Sequence, residues 1–132
     1  MKMIKKCSEK GFTLIELMVV ISIIGILSTI AISRFTTATT AANTAKFQAD
    51  LRIIDAAIIS FYASKGSYPT GINDLVNGPE KFLEELPKVG SGSCYVDGVE
   101  TAILNWQYGI NNEHRATLNN KTLENFTKGS KT

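Results

Sequence analysis

Residues 17–33 have the sequence Leu-Met-Val-Val-Ile-Ser-Ile-Ile-Gly-Ile-Leu-Ser-Thr-Ile-Ala-Ile-Ser, a run of seventeen residues without a charged side chain. Because an α-helix rises about 1.5 Å per residue, the run spans roughly 25 Å, or roughly 33 Å if it begins at Phe12. The hydrocarbon core of a bilayer is about 30 Å thick, and a single segment satisfies its backbone there only as a helix. The run therefore predicts a membrane-spanning helix over residues 12–33.

Positive charge is concentrated before this run. Residues 1–11 contain four lysines and one glutamate, a side-chain charge of +3, whereas the whole chain carries +2. Lysines before the run, with only Arg34 directly after it, place the N-terminus on the cytoplasmic side. The residues after position 11 carry −1 in total, so nucleic-acid binding driven by bulk positive charge is disfavoured.

Two simpler interpretations of the apolar run exist. A secretory signal peptide has an apolar core of about 7–15 residues, which this run exceeds. Such a peptide also gains nothing from an acidic residue like Glu16 at the start of its core. An uncleaved signal anchor, in contrast, fits the run as well as a processed segment does, so the run by itself leaves that interpretation open.

The residues at the start of the run are more specific. The segment Gly-Phe-Thr-Leu-Ile-Glu at residues 11–16 resembles the processing motif of type IV prepilins, and the similarity continues through Ser33. The resemblance implies that a prepilin peptidase removes residues 1–11 as a cytoplasmic leader, cuts between Gly11 and Phe12, and methylates the new amine of Phe12. It also implies assembly, through an inner-membrane platform, into a homo-oligomeric helical filament that includes related minor pilins.

Gly11 and Glu16 have the chemistry that such a site needs. Gly11 lacks a Cβ atom, so an extended backbone there can approach a protease closely. Glu16 lies in the first helical turn, at the positive end of the helix dipole, and a carboxylate inside a membrane segment is a functional candidate. The resemblance implies that Glu16 attracts the Phe12 amine of a neighbouring subunit during assembly. The alternative is that Glu16 caps its own helix or reaches the membrane interface.

Gly25 lies in the middle of the run, between Ser22 and Ser28. Small residues allow helices to approach closely in lipid, so Gly25 is a candidate for helix packing, although glycine is also common in membrane helices. Type IV pilins, which this segment resembles, often have a proline near the position of Ser33, where it would kink the helix. Serine at that position favours a helix that continues without a kink.

The helix is predicted to continue beyond the membrane, over residues 34–64. The first proline of the chain is Pro69, and Gly66 is placed to end the helix. Apolar residues spaced alternately by four and three form a stripe on one face, while Asp50 and Asp55 occupy other faces. We expect this stripe to pack the helix against a compact head: Phe47, Leu51, Ile54, Ile58 and Phe61.

Residues 65–132 are predicted to form that head around one small antiparallel sheet. Asp97-Gly98 favours a tight turn between strands at Cys94–Val96 and Val99–Leu104. Two further strands of the same sheet are predicted at Trp106–Tyr108 and Arg115–Leu118.

Outside the sheet, the head is predicted to contain a short helix or turn at Gly71–Val76 and a second short helix at Pro79–Leu86, with proline at its first position. The polar residues after about position 120 are expected to be loose. The fold class is therefore α+β: a long N-terminal helix, membrane-spanning in its first half, packed by a small antiparallel β-sheet head.

The sequence offers no catalytic or metal-binding set. His114 is the only histidine, and Gly90-Ser91-Gly92 is too short for a phosphate loop. The two cysteines are Cys7, in the expected leader, and Cys94, so the processed chain could form no internal disulfide. Cys94 is expected to be a buried thiol, the alternative being a disulfide between two chains. We therefore expect neither an enzyme nor a cofactor or metal.

A looser resemblance covers part of the head. Tyr68-Pro69-Thr70 and Leu86-Pro87-Lys88 resemble the major pseudopilin of type II secretion systems. The sequence has neither the Asp-Pro-Trp-Gly stretch nor the calcium-binding loop usual in that group, so the resemblance is not extended to calcium binding.

Together the resemblances imply a structural subunit of a type IV pilus or a type II secretion pseudopilus. Such a subunit is a single-pass protein of the inner membrane before assembly and part of a periplasmic or cell-surface filament afterwards. Two alternatives remain: a DNA-uptake (competence) pseudopilin, and an uncleaved single-pass anchor that presents a small binding domain.

Overall fold

The computed structural model describes residues 11–129 of the chain. The chain divides into two compact units, residues 1–35 and residues 36–132, which are considered in turn. One long helix, α1, covers Leu14–Lys65 and contributes residues to both units. The predicted long helix is therefore confirmed, with a start at Leu14 rather than Phe12 and an end at Lys65 rather than Ser64. Residues 1–10 of the expected leader lie outside the described residues.

The first unit is an apolar helix with an exposed surface. Every residue from Gly11 to Phe35 is exposed, and the large apolar side chains range from 47% exposed at Val20 to 87% at Phe12. By length and composition, α1 qualifies as a helix that could cross a membrane. An apolar surface of this extent is stable only against lipid or another apolar surface.

The second unit begins with the remainder of α1, which ends at Gly66. Gly66 has a φ of +70°, and its N–H donates to the carbonyl oxygen of Tyr62 at 2.8 Å. This left-handed residue closes the last turn of the helix and favours glycine because a Cβ atom would be strained there. The predicted helix end at Gly66 is confirmed. A short 3₁₀ turn follows at Ile72–Leu75.

Four strands in the second unit form two hairpins. Strand β1, Ser93–Val96, pairs antiparallel with β2, Val99–Ala102. Strand β3, Tyr108–Ile110, pairs antiparallel with β4, Ala116–Leu118. Both central residues of the predicted Asp97-Gly98 turn have positive φ, as a two-residue type I′ turn requires, which confirms that turn.

The prediction of a single sheet is wrong, because the two hairpins form separate two-stranded sheets. Strand β2 ends at Ala102 rather than Leu104, although the N–H of Ile103 still donates to the carbonyl oxygen of Gly92 at 2.9 Å, in register with the β1–β2 ladder. Trp106 lies before strand β3 rather than within a strand. Its ring packs 6.4 Å from that of Phe47, so the side chain serves the core instead of a ladder.

The predicted helix at Pro79–Leu86 is also wrong, because this segment has no helical structure. The N–H groups of Phe82 and Leu83 both donate to the carbonyl oxygen of Leu75, each at 2.9 Å. These donors are therefore used in a contact with the preceding 3₁₀ turn rather than in a helical ladder.

Residues 121–129, the described part of the tail that was predicted to be loose, are instead ordered against the head. They contain a second 3₁₀ turn at Leu123–Asn125, and the side chain of Phe126 is fully buried. This segment completes a core formed by one face of α1, both hairpins and the first 3₁₀ turn. The buried apolar residues of this core are Phe47, Leu51, Ile54, Ala57, Ile58, Leu75, Cys94, Val96, Ile103, Ala116, Leu118 and Phe126.

Candidate functional site

Glu16 and Thr13 form a capping box at the start of α1. The N–H and the hydroxyl of Thr13 donate to Glu16 Oε2 at 2.9 and 3.0 Å, and the N–H of Glu16 donates to the hydroxyl oxygen of Thr13 at 3.3 Å. The two side chains thus satisfy backbone groups that the first helical turn leaves open. In this single chain, Glu16 caps its own helix, which was the alternative to partner recognition.

The residues of the expected cleavage site precede this box in an accessible segment. Gly11 and Phe12 are exposed and outside the helix, and a Cβ atom placed on Gly11 would meet nothing within 4 Å. The bond between Gly11 and Phe12 is therefore reachable by an enzyme. Phe12 lies four residues before Glu16, and both hydrogen bonds that the Glu16 carboxylate accepts in the cap are made by Oε2.

Gly25 lies on an exposed part of α1, and a Cβ atom there would also meet nothing within 4 Å. The hydroxyls of Ser22 and Ser28 donate to the carbonyl oxygens of Met18 and Ile24, both at 2.7 Å. Because these bonds lie within the helix, both serines present small surfaces rather than unsatisfied polar groups. The stretch around Gly25 is thus a place where a second helix could approach closely.

The apolar stripe lies on the face of α1 that packs in the second unit. Phe47, Leu51 and Ile54 have no exposed surface, and Ile58 is 1% exposed. Phe61 is partly buried, with its ring 5.1 Å from that of Phe82. All five residues therefore contact the core that the hairpins and the 3₁₀ turns complete.

Two aspartates beside this stripe bind the hairpins, a role that the sequence analysis missed. Asp50 accepts a hydrogen bond from the hydroxyl of Tyr108 at 2.6 Å and pairs with Lys46 at 2.7 Å. Asp55 accepts from the N–H of Ala116 at 2.7 Å and pairs with Arg115 at 3.0 Å. A signal was present in the sequence, because Asp50 lies three residues after Phe47 and Asp55 four residues after Leu51, spacings that place each aspartate beside the stripe on the helix surface.

Burial and these contacts alter the acid–base chemistry of the head. Burial, followed by the hydrogen bond to Asp50, raises the pKa of Tyr108 far above its ordinary value. The hydrogen bond to Asp55 raises the pKa of Arg115. Burial alone raises the pKa of the Cys94 thiol to about 11, so the thiol stays protonated and weakly nucleophilic at neutral pH. Within residues 11–129, no three His, Cys, Asp or Glu side chains gather as a metal site requires.

The chain is similar in sequence to known proteins, and one match includes the site at the start of α1. A family model for the prokaryotic N-terminal methylation motif matches residues 6–32. The chain is 32% identical over 101 residues to the type II secretion system core protein G of Klebsiella pneumoniae, a match that covers 66% of this chain and 72% of that protein. The chain belongs to the type IV pilin and type II secretion pseudopilin family. The family predicted from the motif at residues 11–16 is confirmed.

Pilus proteins are relatives of this pilin-family chain as well. It is 38% identical over 73 residues to the type IV major pilin protein PilA of Myxococcus xanthus, a match that covers 55% of this chain but only 33% of PilA. It is 36% identical over 107 residues to the fimbrial protein EcpC of Eikenella corrodens, covering 73% of this chain and 63% of EcpC. No solved structure matches significantly. These relatives, together with the methylation motif, indicate that the chain is a structural subunit of a pilus or pseudopilus.

Proposed function

We propose that this subunit is made as a precursor, cut between Gly11 and Phe12 by a prepilin peptidase, and methylated on the new amine of Phe12. An inner-membrane assembly platform then polymerises it through residues 12–33 into a helical filament with further copies and related minor pilins. Before assembly it is a single-pass protein of the cytoplasmic membrane with its N-terminus in the cytoplasm. The observation that carries the proposal is a carboxylate, Glu16, held at the start of an exposed apolar helix beside Phe12.

The exposed apolar surface of the first unit supports polymerisation. The described residues up to Phe35 bury no side chain within the chain itself. Lipid covers that surface while the subunit is in the membrane, and helices of neighbouring copies replace lipid when it leaves. Gly25 is the proposed point of closest approach between such helices, since glycine adds no side-chain bulk.

The capping box supports a recognition role for Glu16 rather than opposing it. Thr13 fixes one carboxylate oxygen, Oε2, so the carboxylate is already oriented before a partner arrives. Cleavage produces a positively charged amine on Phe12, and its attraction to a carboxylate is strong in an apolar surrounding. We propose that the amine of a neighbouring copy binds Glu16 during assembly, with the cap holding the acceptor in place.

Three substitutions separate capping from charge. Glu16→Gln keeps a side chain that completes a capping box but removes the charge, whereas Thr13→Ala removes the capping hydroxyl and keeps the charge. Glu16→Ala removes both properties. We expect processing to continue in all three variants and filament yield to fall strongly for Glu16→Gln and Glu16→Ala, but only slightly for Thr13→Ala. Normal filaments from Glu16→Gln, with few from Thr13→Ala, would mean that Glu16 acts only as a cap.

Processing is tested by intact-mass measurement of the protein purified from membranes. The expected mass is that of residues 12–132 plus one methyl group. Gly11→Val should retain the full precursor mass, because a β-branched side chain next to the scissile bond obstructs the close approach of the peptidase. An unprocessed mass for the unmodified chain would instead favour the uncleaved membrane anchor.

Shearing of intact cells distinguishes the two proposed kinds of filament. A surface pilus releases the subunit into the sheared fraction, and a major subunit dominates that fraction. A periplasmic pseudopilus leaves the subunit with the cells until the envelope is opened. The same preparation therefore assigns both the type of filament and the abundance of this subunit in it.

A further inference from the structure

The segment after strand β4 folds back onto the second unit. Asn119 and Asn120 both have positive φ, and Leu118 and Lys121 exchange backbone hydrogen bonds of 2.8 and 3.0 Å across them. This is the geometry of a two-residue type I′ turn, which reverses the chain. Residues 121–129, which follow this turn, form a segment that we call the strap.

The strap inserts an aromatic side chain into the core. Phe126 has no exposed surface, and its ring lies 5.9 Å from that of Phe47 and 6.3 Å from that of Trp106, in edge-to-face arrangements. The side-chain amide of Gln48, on α1, donates to the carbonyl oxygen of Phe126. Removal of the strap would therefore expose an aromatic face of α1 and the ring of Trp106.

The β1–β2 turn holds the strap through Asp97. The N–H of Asp97 donates to the carbonyl oxygen of Asn125 at 2.6 Å, and the N–H of Gly98 donates to that of Thr127 at 3.1 Å. The side-chain amide of Asn125 donates to both carboxylate oxygens of Asp97, at 2.9 and 3.2 Å. Lys121, at the start of the strap, adds an ion pair with Asp97 at 3.7 Å.

Asn125 also holds the strap together internally. Its side-chain oxygen accepts hydrogen bonds from the N–H and the hydroxyl of Thr122, both at 3.1 Å. One amide side chain thus closes the 3₁₀ turn of the strap and bonds to the hairpin turn. Loss of the bond to Asp97 and loss of the strap's internal turn are therefore linked through Asn125.

We propose that the strap is a closing device of the head, opened at the Asn119-Asn120 hinge and latched by Asp97 and Asn125 independently of the rest of the core. The hinge is a turn, the latch lies on a different hairpin, and Phe126 is the one aromatic side chain that the strap contributes to the core. Closure covers Phe47 and Trp106, and opening exposes them without unfolding α1 or the hairpins. This inference concerns the second unit alone and does not rest on processing or polymerisation.

Limited digestion with trypsin tests the latch in the full chain, purified in detergent. Trypsin cuts after Lys121 and Lys128, at the two ends of the strap. Cleavage tracks the population of the open form when opening is faster than cutting. Asn125→Ala removes the amide that binds the Asp97 carboxylate, so we expect cleavage after both lysines to rise about tenfold, as the loss of hydrogen bonds to a charged group predicts. Asp97→Asn keeps a residue type that tolerates positive φ and should give a smaller rise at both positions.

Asp74→Asn is the matched control. Asp74 also accepts three hydrogen bonds in a turn, but its donors are the N–H and hydroxyl of Thr70 and the N–H of Gly71, all within four residues. We expect this variant to leave cleavage after Lys121 and Lys128 unchanged. Amide exchange gives a second measurement: the Asp97 and Gly98 amides should exchange faster in Asn125→Ala, while those of α1 keep their protection.

Each outcome of the digestion either supports or overturns the proposal. Joint cleavage at both ends of the strap, with α1 still protected, supports the proposal. Faster cleavage after Lys128 alone would show simple fraying of the chain and overturn it. Equal acceleration at lysines throughout the head would show global unfolding, and no change in Asn125→Ala would show that Asn125 latches nothing; both results also overturn it.

Discussion

At the scale of single residues, the hydroxyl of Tyr108 joins the β3–β4 hairpin to α1. It donates to Asp50, which also holds Lys46, and the Lys46 ammonium donates in turn to the carbonyl oxygen of Lys88 at 2.7 Å. One carboxylate at the edge of the buried stripe therefore connects the helix, the second hairpin and the loop after Pro87.

Tyr108→Phe should lower the free energy of unfolding by about 1.5–3 kcal/mol, because it removes a hydrogen bond to a charged acceptor. The pKa of Tyr108 is raised in the folded state, so its stabilising contribution is complete below the unfolded pKa, near 10, and declines as the pH rises above that value. The difference in stability between the two proteins should therefore shrink above about pH 10. Urea unfolding at neutral and alkaline pH measures both effects, and a constant difference would contradict the assignment.

The roles of Gly11, Phe12 and Glu16 could be proposed from the sequence, since the motif at residues 11–16 is contiguous, and they stay predictions. The roles of Asp50 and Asp55 were not predicted, because their partners lie about sixty positions away: 58 for Tyr108 and 61 for Ala116. A polar residue at the edge of an apolar stripe indicates that it lies near the buried face. It does not indicate which distant donor it meets there.

At the scale of elements, α1 and the β3–β4 hairpin are held together by Asp55 and Arg115, two side chains that differ in burial. Asp55 is largely buried, with 19% of its side chain exposed, and it serves both the Ala116 N–H and the Arg115 guanidinium. Arg115 is 46% exposed, and its guanidinium donates to Asp55 Oδ2 at 3.0 and 3.2 Å. The carboxylate is therefore the more important partner.

Asp55→Ala should cost about 1–3 kcal/mol of unfolding free energy, because it leaves the buried N–H of Ala116 without its acceptor. Arg115→Ala should cost less than about 1 kcal/mol, since exposed ion pairs contribute little. Chemical denaturation of the two variants measures the difference. Equal costs would show that the ion pair, rather than the backbone hydrogen bond, connects the helix to the hairpin.

Some secondary-structure elements were predicted correctly from the sequence, and others were not. The Asp97-Gly98 turn and the Gly66 helix end were predicted because both depend on backbone preferences within a few residues. The segment Pro79–Leu86 was not, because its donors bind Leu75 rather than one another. The second sheet was missed for a related reason, since nothing in four short strands indicates which pairs stay apart.

At the scale of the whole molecule, the two units have different requirements for stability. Every residue that is buried in the described part of the chain belongs to the second unit, beginning at Thr40. The described residues of the first unit, 11–35, contribute no buried side chain. The head should therefore fold without the apolar half of α1.

A chain of residues 36–132 should be soluble and unfold cooperatively, because it retains the complete core. Its amide-exchange protection at Leu51, Cys94 and Phe126 should match that of the full chain in detergent, while the full chain should fractionate with membranes. Circular dichroism and cell fractionation check the two parts of this prediction. Loss of protection at Phe126 in the short chain would show that the first unit contributes to head stability.

The sequence by itself determined the long helix, its apolar first half, the buried stripe and the motif that indicates the family. Each of these is a pattern over neighbouring residues, so local spacing and composition are enough to specify it. Only the tertiary structure decided the strap, the two separate sheets and the roles of Asp50 and Asp55. Leu123 and Phe126 lie three apart in a polar segment and do not belong to a longer apolar pattern. Their burial depends on contacts such as that between Gln48 and Phe126, 78 positions apart, and such contacts leave no periodic signal.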